Sequence, residues 1–565
     1  MTQFDWLVLV ATVTFIVLYG VWKGRRNHDM RDYLLANRSM PWYIVCLSIM
    51  GTQASAITFL STPGQAYGDG MRFVQFYFGL PLAMVVLSIT AVPIYHRLNI
   101  YTAYEYLEGR FDLKTRTLAA FLFLLQRGIS TGVSIYAPAI VLSSILGWSV
   151  QWTCILNGIL VLVYTVSGGT KAVSYTQLGQ MTIILSGMAI AGFMTVQLLP
   201  ADVTFVDALR VAGKAGKLNT IDLKFDPNNQ YNIWSGLIGG FFLQLSYFGT
   251  DQSQVGRYLS GSSIAQSRMG LLMNGIVKIP MQFGILFIGV MVFVFYLFIQ
   301  PPLFFNHVEL DALRSNGYTP QLQQLQQRQD SLFSVQQQDL RTLITALRQD
   351  KNVAQAEARF DTTRQRMRSV QTQVTDLIKE NKKIAKVDDT NYVFLTFVTR
   401  YLPSGLVGLL IAIVLMASMS SVAGALNSLT STTIIDVYKR ILRPDLADKS
   451  YLKTSRWITA GWGAFSIIIA LYAGQIGNLL EAVNRLGSLF YGVILGIFLC
   501  AFYIKQIRGF AVFYSAVVTQ ALIFLLYLFT PIAFLWYNVI GCVLVIGFAW
   551  IIEQIKRTGI AMPEG

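Results

Sequence analysis

Long apolar runs separated by short polar connectors dominate this chain. About thirteen runs, each of about 20 residues and nearly free of charge, fall at approximately 4–22, 42–64, 71–95, 117–146, 150–168, 175–198, 233–250, 270–299, 403–434, 456–474, 480–504, 509–530 and 532–552. About 20 residues rising 1.5 Å each cross the hydrocarbon core of a bilayer, so the pattern predicts an all-α, multi-pass membrane protein. One region departs from it. Residues 303–390 are polar and Gln-rich, yet Leu322, Leu325, Leu332, Val335, Leu340, Leu343 and Leu347 recur mostly three or four positions apart. Beyond Asp350-Lys351-Asn352, Phe360, Met367, Val370, Val374 and Ile378 continue that spacing. This predicts a helical hairpin with a narrow apolar seam on the outer face, either an arm for a protein partner or a solvated insertion tolerated in a surface loop. The chain then divides into 1–302 with eight membrane helices, the insertion 303–390, and 391–565 with five more.

The informative positions are those where polar residues or glycines interrupt an apolar run. The second run holds Gly51, Thr52, Gln53, Ser55 and Thr58 before Pro63-Gly64, and the seventh holds Gly239-Gly240, Gln244, Ser246 and Gly249-Thr250. The two stand five apart. Five is odd, so two five-helix repeats would have opposite orientations, and paired interrupted helices in inverted repeats point to a site near the bilayer midplane. Unwound backbone there offers carbonyls and amides in place of water. Isolated glycines serve equally well to let helices pack closely, but matched positions favour true breaks. The ninth run carries Ala417-Ser418-Met419-Ser420-Ser421 and then Asn427, Ser428, Thr430, Ser431 and Thr432. Buried hydroxyls at this density are costly unless something uses them. Neutral oxygens suit a hard monovalent cation; the alternative is that they bond back to carbonyls of their own helix.

Composition narrows the function. The chain is 54% hydrophobic and 13% charged. A net charge of +15 could suggest nucleic acid, but the distribution favours membrane topology and no nucleic-acid partner. Lys and Arg collect in the connectors 23–40, 96–116, 169–180, 250–270, 437–456, 505–508 and 553–565, against only Arg72, Arg210, Lys214, Lys217, Lys224 and Arg485 in the short connectors of the other side. That is the positive-inside bias, and it predicts an N-terminus outside and a C-terminus in the cytoplasm, in the inner membrane of a bacterium. The first run has no basic segment before it, and Lys23, Arg25 and Arg26 follow it, so it reads as a mature helix rather than a leader. Cys46, Cys154, Cys500 and Cys542 stand singly, histidine is limited to His28, His96 and His307, and the runs are almost empty of carboxylates, with Glu481 and Asp436 near the ends. Such a chain has little material for an enzyme. A transporter-derived sensor would be expected to carry a fused cytoplasmic domain, and the chain ends about 13 residues after its last apolar run.

Four stretches, in order, resemble the sodium/solute symporter family. Ala417-x-x-Ser420-Ser421 with Asn427-Ser428 and Asp436-Val-Tyr438-Lys439 is similar to its core helix, and Gly168 to Gln177 to its GG-x-KAV-x-W-T-D signature. Tyr101 to Phe111 and Gln254 to Leu259 are similar to its loop segments. The resemblance implies a LeuT-like five-plus-five inverted repeat with one leading and two trailing helices, and sodium-coupled uptake of a solute. It implies Na+ as coupling ion, held by Gly51, Ala54, Ala417, Ser420 and Ser421. The chain departs from the family where Tyr175-Thr176-Gln177 lacks the final carboxylate, and where Ala423 and Gly424 replace hydroxyls that some members use for a second sodium; one sodium per cycle is the expectation.

Two cations fall inside apolar runs, Arg127 and Lys278. Arg127 could hold a carboxylate at two points or serve as a structural arginine on broken-helix carbonyls. Lys278 matches a position where sugar-transporting relatives carry a substrate-contacting lysine. The remaining solute candidates are Gln53, Thr58, Gln244, Tyr247, Phe248 and Asn484. Ser55 to Pro63 is similar to the iodide, monocarboxylate and vitamin branch. That tilts the expectation toward a small organic anion such as a monocarboxylate, with a sugar, polyol or sialic acid as the alternative.

Overall fold

The computed structural model describes residues 1–24, 30–382, 387–473 and 478–557; Arg25, Arg26 and His28 lie outside the described residues. Among those described, the regular structure is helical, with one isolated bridge between Met40 and Gly261. Every apolar run falls on helix. Nine helices among the described residues are by themselves long and apolar enough to span a membrane, so the chain is a multi-pass integral membrane protein.

Departures from straight helices occur where the sequence supplies breakers. The second run is two helices, Trp42–Gln53 and Ala56–Asp69, with Ala54 and Ser55 extended between them. The seventh run ends its helix Gly240–Gly249 at Thr250, and the chain resumes as Gln252–Leu259 after Asp251, whose side chain caps the new helix by accepting from the Ser253 amide. Residues 250–259, read from the sequence as part of a polar connector, are in fact buried almost throughout. Gly239 and Gly240 do not break the chain. A Cβ on Gly240 would lie 2.8 Å from the Phe76 carbonyl, and one on Gly236 would lie 2.1 Å from that of Gln75. Close packing is their role. The fifth and sixth runs form one segment, Val150–Gln197, bent at Gly169, where φ of 59° and ψ of −175° suit glycine alone.

The serine-rich ninth run is the helix Leu406–Thr432, buried along nearly its whole length. Its start is held by the leading helix Gln3–Gly24: the Asp5 carboxylate accepts from the amides of Gly405 at 2.6 Å and Gly408 at 3.2 Å. A carboxylate on these unpaired N–H groups satisfies them and complements the helix dipole.

The insertion forms the expected hairpin, Thr319–Gln349 and Val353–Lys382. It lies down on the membrane helices. Leu340, Leu343, Ile344 and Phe360 join the main apolar core, and a smaller cluster around Leu313, Val370 and Val374 closes the seam. Polar contacts fix the arm in place: Arg348 to Asp207 at 2.6 Å, Lys214 to Glu357 at 2.9 Å, and Gln337 to the Leu297 carbonyl at 2.7 Å. The Arg348 guanidinium, with the Thr204 cap, holds the Asp207 carboxyl well below the usual carboxylate range. The helix Thr390–Tyr401 leads from the arm back to the membrane and presses on the first broken helix, where a Cβ on Gly64 would meet the Thr390 carbonyl at 1.9 Å.

The face of the bundle opposite the arm is sealed by an ionic latch. Arg116 pairs with Asp436 at 2.7 Å and with Glu108 at 2.7 Å, Arg440 adds a second contact to Glu108 at 2.5 Å, and the Thr102 hydroxyl donates to Asp436 at 2.9 Å. Asp436 is fully buried. Removing its main partner leaves a buried carboxylate uncompensated, so Arg116→Met is expected to lower stability by roughly 3–5 kcal/mol. The more exposed Arg440→Met should change it little. Thermal unfolding of the purified variants checks the difference; equal melting temperatures would show that the latch carries no stability.

Candidate cation and solute site

Where the first broken helix crosses the serine helix, neutral oxygens meet around Ser420, and one turn on the Arg257 guanidinium donates to the Gly424 carbonyl at 3.5 Å. The Ser420 hydroxyl donates to the Gly51 carbonyl at 2.9 Å. Gly51 fits closely: a Cβ there would stand 3.1 Å from both Ser420 Oγ and the Gln177 side chain, which would have to give by a few tenths of an ångström. The Ser421 hydroxyl donates to the Ser418 carbonyl at 3.2 Å, the back-bonding alternative that hydroxyls in helices always have. Ala54 and Ala417 are fully buried at the same crossing, Ala54 being the residue at which the helix comes apart. Carbonyl and hydroxyl oxygens without thiolate or imidazole are the donor chemistry of a hard cation. No cluster of three His, Cys, Asp or Glu suited to another metal occurs among the described residues.

Gln177 ties this crossing together. Its carboxamide nitrogen donates to Thr52 Oγ1 at 3.1 Å and to the Ser420 carbonyl at 3.3 Å, while its oxygen accepts from Ser48 at 2.6 Å. It bridges the same two helices that supply the oxygens. Where the family signature ends in a carboxylate, this chain places an uncharged amide wholly inside its packing. Sequence reading marked the substitution but gave no indication of these partners.

Beside the break lies a cavity of about 90 Å³ lined by Gln53, Ser55, Thr58, Tyr77, Arg127, Ser130, Gln244, Tyr247, Asn484 and Tyr491, with Ile57, Phe76, Leu243, Leu480 and Val483 as its apolar wall. Six sequence candidates, Gln53, Thr58, Arg127, Gln244, Tyr247 and Asn484, therefore face one space. The other two do not line it. Phe248 is fully buried, packed edge-on against Tyr247 with ring centroids 5.0 Å apart. Lys278 is fully buried behind Tyr77, its Nζ 5.6 Å from that ring.

Arg127 is the cavity's one cation among the described lining residues, and its charge is only loosely met. The nearest carboxylate, Asp251, lies 3.9 Å from Nη1, and Nε has no hydrogen-bond partner. Both Asp251 oxygens are already engaged: Tyr491 donates at 3.0 Å to Oδ2, the oxygen nearest Arg127, and Ser253 donates to Oδ1 at 2.6 Å. The Tyr247 ring lies 5.9 Å from the guanidinium carbon. Gln53 Oε1 and Gln244 Oε1 are also buried without partners. Unmet polar atoms converging on one cavity are what a polar solute or ordered water would satisfy. Asp251 and Tyr491 were missed from sequence. Asp251 follows the Gly249-Thr250 break directly, and a capping residue at a helix restart was the available signal.

Known proteins resemble this chain in sequence and in fold. The sequence matches the family described as "SSF: Sodium:solute symporter family" over residues 33–322 and 374–518. It is 30% identical over 286 residues to the sodium-coupled monocarboxylate transporter 1 of Xenopus laevis, covering 48% of this chain and 44% of that one. It is 30% identical over 289 residues to the human sodium/iodide cotransporter (50% and 44%). It is 26% identical over 510 residues to the sodium-dependent multivitamin transporter of Oryctolagus cuniculus (87% and 65%). The chain thus spans under two thirds of the length of each of these relatives. Among solved structures, an outward-open, substrate-bound Na+-coupled sialic acid symporter superimposes with a TM-score of 0.76 at 20% identity, over 98% of both chains. That likeness bears out the expected LeuT-like all-α fold, without fixing the number of spans at thirteen. These relatives are transporters by name and not enzymes. The chain belongs to the sodium:solute symporter family.

Proposed function

We propose that the protein is a secondary symporter that couples inward movement of one sodium ion to import of a small organic anion, of the monocarboxylate class, by alternating access. The observation that carries the reading is Arg127: a buried guanidinium facing a small cavity, with its nearest carboxylate at 3.9 Å and its Nε unpartnered. A solute carboxylate supplies two oxygens where the protein supplies a distant one, which is the geometry a guanidinium favours. Two relatives named for monocarboxylate and multivitamin transport support the class.

Sodium is held by the Gly51 and Ala54 carbonyls, the Ala417 carbonyl and the Ser420 and Ser421 hydroxyls. The coupling follows from chain continuity. Gln53, Ser55 and Thr58, which line the cavity, flank the same unwound residues that carry the proposed ligands. Fixing the backbone at 51–54 fixes the side chains beside it, so each ligand favours the other's binding, and the coupling is reciprocal. Closure over both then shifts the population toward the inward-open state. With one sodium per anion no net charge crosses, so the ~2.3 kcal/mol that 100 mV gives a moving charge is forgone. A tenfold sodium gradient still supplies about 1.4 kcal/mol, which is tenfold accumulation. The latch of Arg116, Asp436 and Glu108 faces the cytoplasm in this reading, with the arm and the N-terminus outside in a bacterial inner membrane, as the distribution of Lys and Arg suggests.

Two variants test the assignment in proteoliposomes given a panel of labelled short monocarboxylates and neutral sugars. Arg127→Gln should reduce monocarboxylate uptake at least about tenfold, a loss of roughly 1.4 kcal/mol or more in binding. Uptake of a neutral sugar that is indifferent to Arg127→Gln would overturn the anion reading. Ser421→Ala should raise the sodium concentration for half-maximal uptake about tenfold with insertion unchanged, as expected for loss of one cation-binding oxygen. An unshifted sodium dependence would remove Ser421 from the site.

A further inference from the structure

We propose that the hairpin completes a second binding site, for a small organic carboxylate with an apolar body, between itself and the outer end of the first broken helix. The site rests on the orientation and solute class proposed above but uses none of the residues of the central cavity. A space of about 490 Å³ opens there. One wall is aromatic: Tyr67 meets Phe305 with ring centroids 5.5 Å apart and Tyr296 at 6.0 Å, and Tyr296 meets Phe305 at 5.3 Å. The other is basic, with Lys217 from the membrane domain and Arg364 and Arg368 from the arm.

The basic side chains differ in how directly they are partnered. Arg364 is occupied by Asp361 at 2.9 Å and by the Ala215 carbonyl at 3.0 Å. Lys217, itself buried, donates to the Tyr67 carbonyl at 2.7 Å and to that of Gly68, and has no carboxylate within ion-pair range among the described residues. Arg368 has no hydrogen-bond or ion-pair partner for its side chain among the described residues. Two carboxylates also line the space: Asp69 accepts from Gln65 at 2.5 Å, and Asp389 accepts from the Phe305 amide at 2.8 Å, neutral donors that leave both charges in place. Lys217 and Arg368 are nevertheless left without an ion pair of their own among the described residues. The Tyr296 hydroxyl, 2% exposed for the residue, also lacks a partner.

A carboxylate between Lys217 and Arg368 gives both cations the direct partner they lack, and an apolar body then lies on the aromatic wall beside the Tyr296 hydroxyl. Position makes the site useful. Tyr67 and Gly68 stand nine or ten residues from Thr58 on one helix, about 14 Å along its axis at 1.5 Å per residue. The same rod therefore ends in the outer space on one side and in the central cavity on the other. A site at its outer end raises the local concentration of anion where the transport path begins.

Equilibrium binding of radiolabelled benzoate to the purified full-length chain, with choline replacing sodium, tests this. Saturable binding is expected in the wild type and equally in Arg127→Gln, whose central cavity is impaired. Arg368→Gln should weaken it about tenfold, and Arg368→Lys should restore most of it. Arg368 is exposed and makes no side-chain contact that folding needs, and Tyr296→Phe, which should weaken binding severalfold, is nearly isosteric. Absence of saturable binding in choline, binding indifferent to Arg368→Gln, or binding lost in Arg127→Gln would each overturn the outer site. Failure of the central anion site would show separately, as sodium-dependent uptake that ignores Arg127→Gln.

Discussion

The contact of the Ser420 hydroxyl with the Gly51 carbonyl, 2.9 Å across two crossing helices, is the point about which the molecule is organised. A helix that comes apart inside a bilayer must find partners for its freed backbone groups, because no water is there to take them. At Ala54 and Ser55 the chain is extended, and the serine helix and Gln177 supply the surrounding oxygens and amides. A cation placed among those oxygens would be met by carbonyl and hydroxyl dipoles and by no full charge. Such an arrangement binds weakly enough to let go, as a transport cycle requires.

Charged pairs are used elsewhere in the molecule. On one side of the cavity Arg127 and Asp251 stand 3.9 Å apart, a pair slack enough to admit a third party. At the far face Arg116 and Asp436 are 2.7 Å apart and buried, and Thr102 donates to the same carboxylate oxygen, Oδ1. The contrast is one of function. A tight pair stabilises one closed arrangement, whereas a loose one leaves room for a ligand. The arm adds a third setting: it docks through partly exposed pairs such as Lys214 with Glu357, while its buried leucines join the core and carry most of its attachment.

Much of the fold was legible from the residues because the bilayer makes hydrophobicity nearly sufficient to locate helices. The break at Ala54 and Ser55 could be anticipated from Gly51, Gln53 and Ser55, and the resemblance in the serine helix pointed to the opposing oxygens. Local pattern did not separate breaking glycines from packing ones. Gly236, Gly239 and Gly240 are small because Gln75, Phe76 and Leu535 lie against them, a fact of tertiary structure with no trace in spacing. Asp251 was passed over because a polar residue after an apolar run looks like a loop, and only the return of Gln252–Leu259 into the protein makes it buried. Lys278 stands out as a cation inside an apolar run and Phe248 through the resemblance to the family; one face of a helix decides whether such a side chain meets the cavity, and Tyr77 stands between Lys278 and it. The hairpin's seam was visible in its leucine spacing, but that Leu340 and Leu343 also pack into the membrane core was not, since a narrow apolar stripe serves either purpose.

The account depends on neutral oxygens at the crossing of Trp42–Gln53 with Leu406–Thr432 binding an alkali cation whose inward movement drives solute. The most direct measurement is solute accumulation by reconstituted vesicles at fixed pH under an inward sodium gradient, against an equal potassium gradient. Accumulation above equilibrium with sodium and none with potassium is the predicted result. Equal accumulation under both gradients would contradict it.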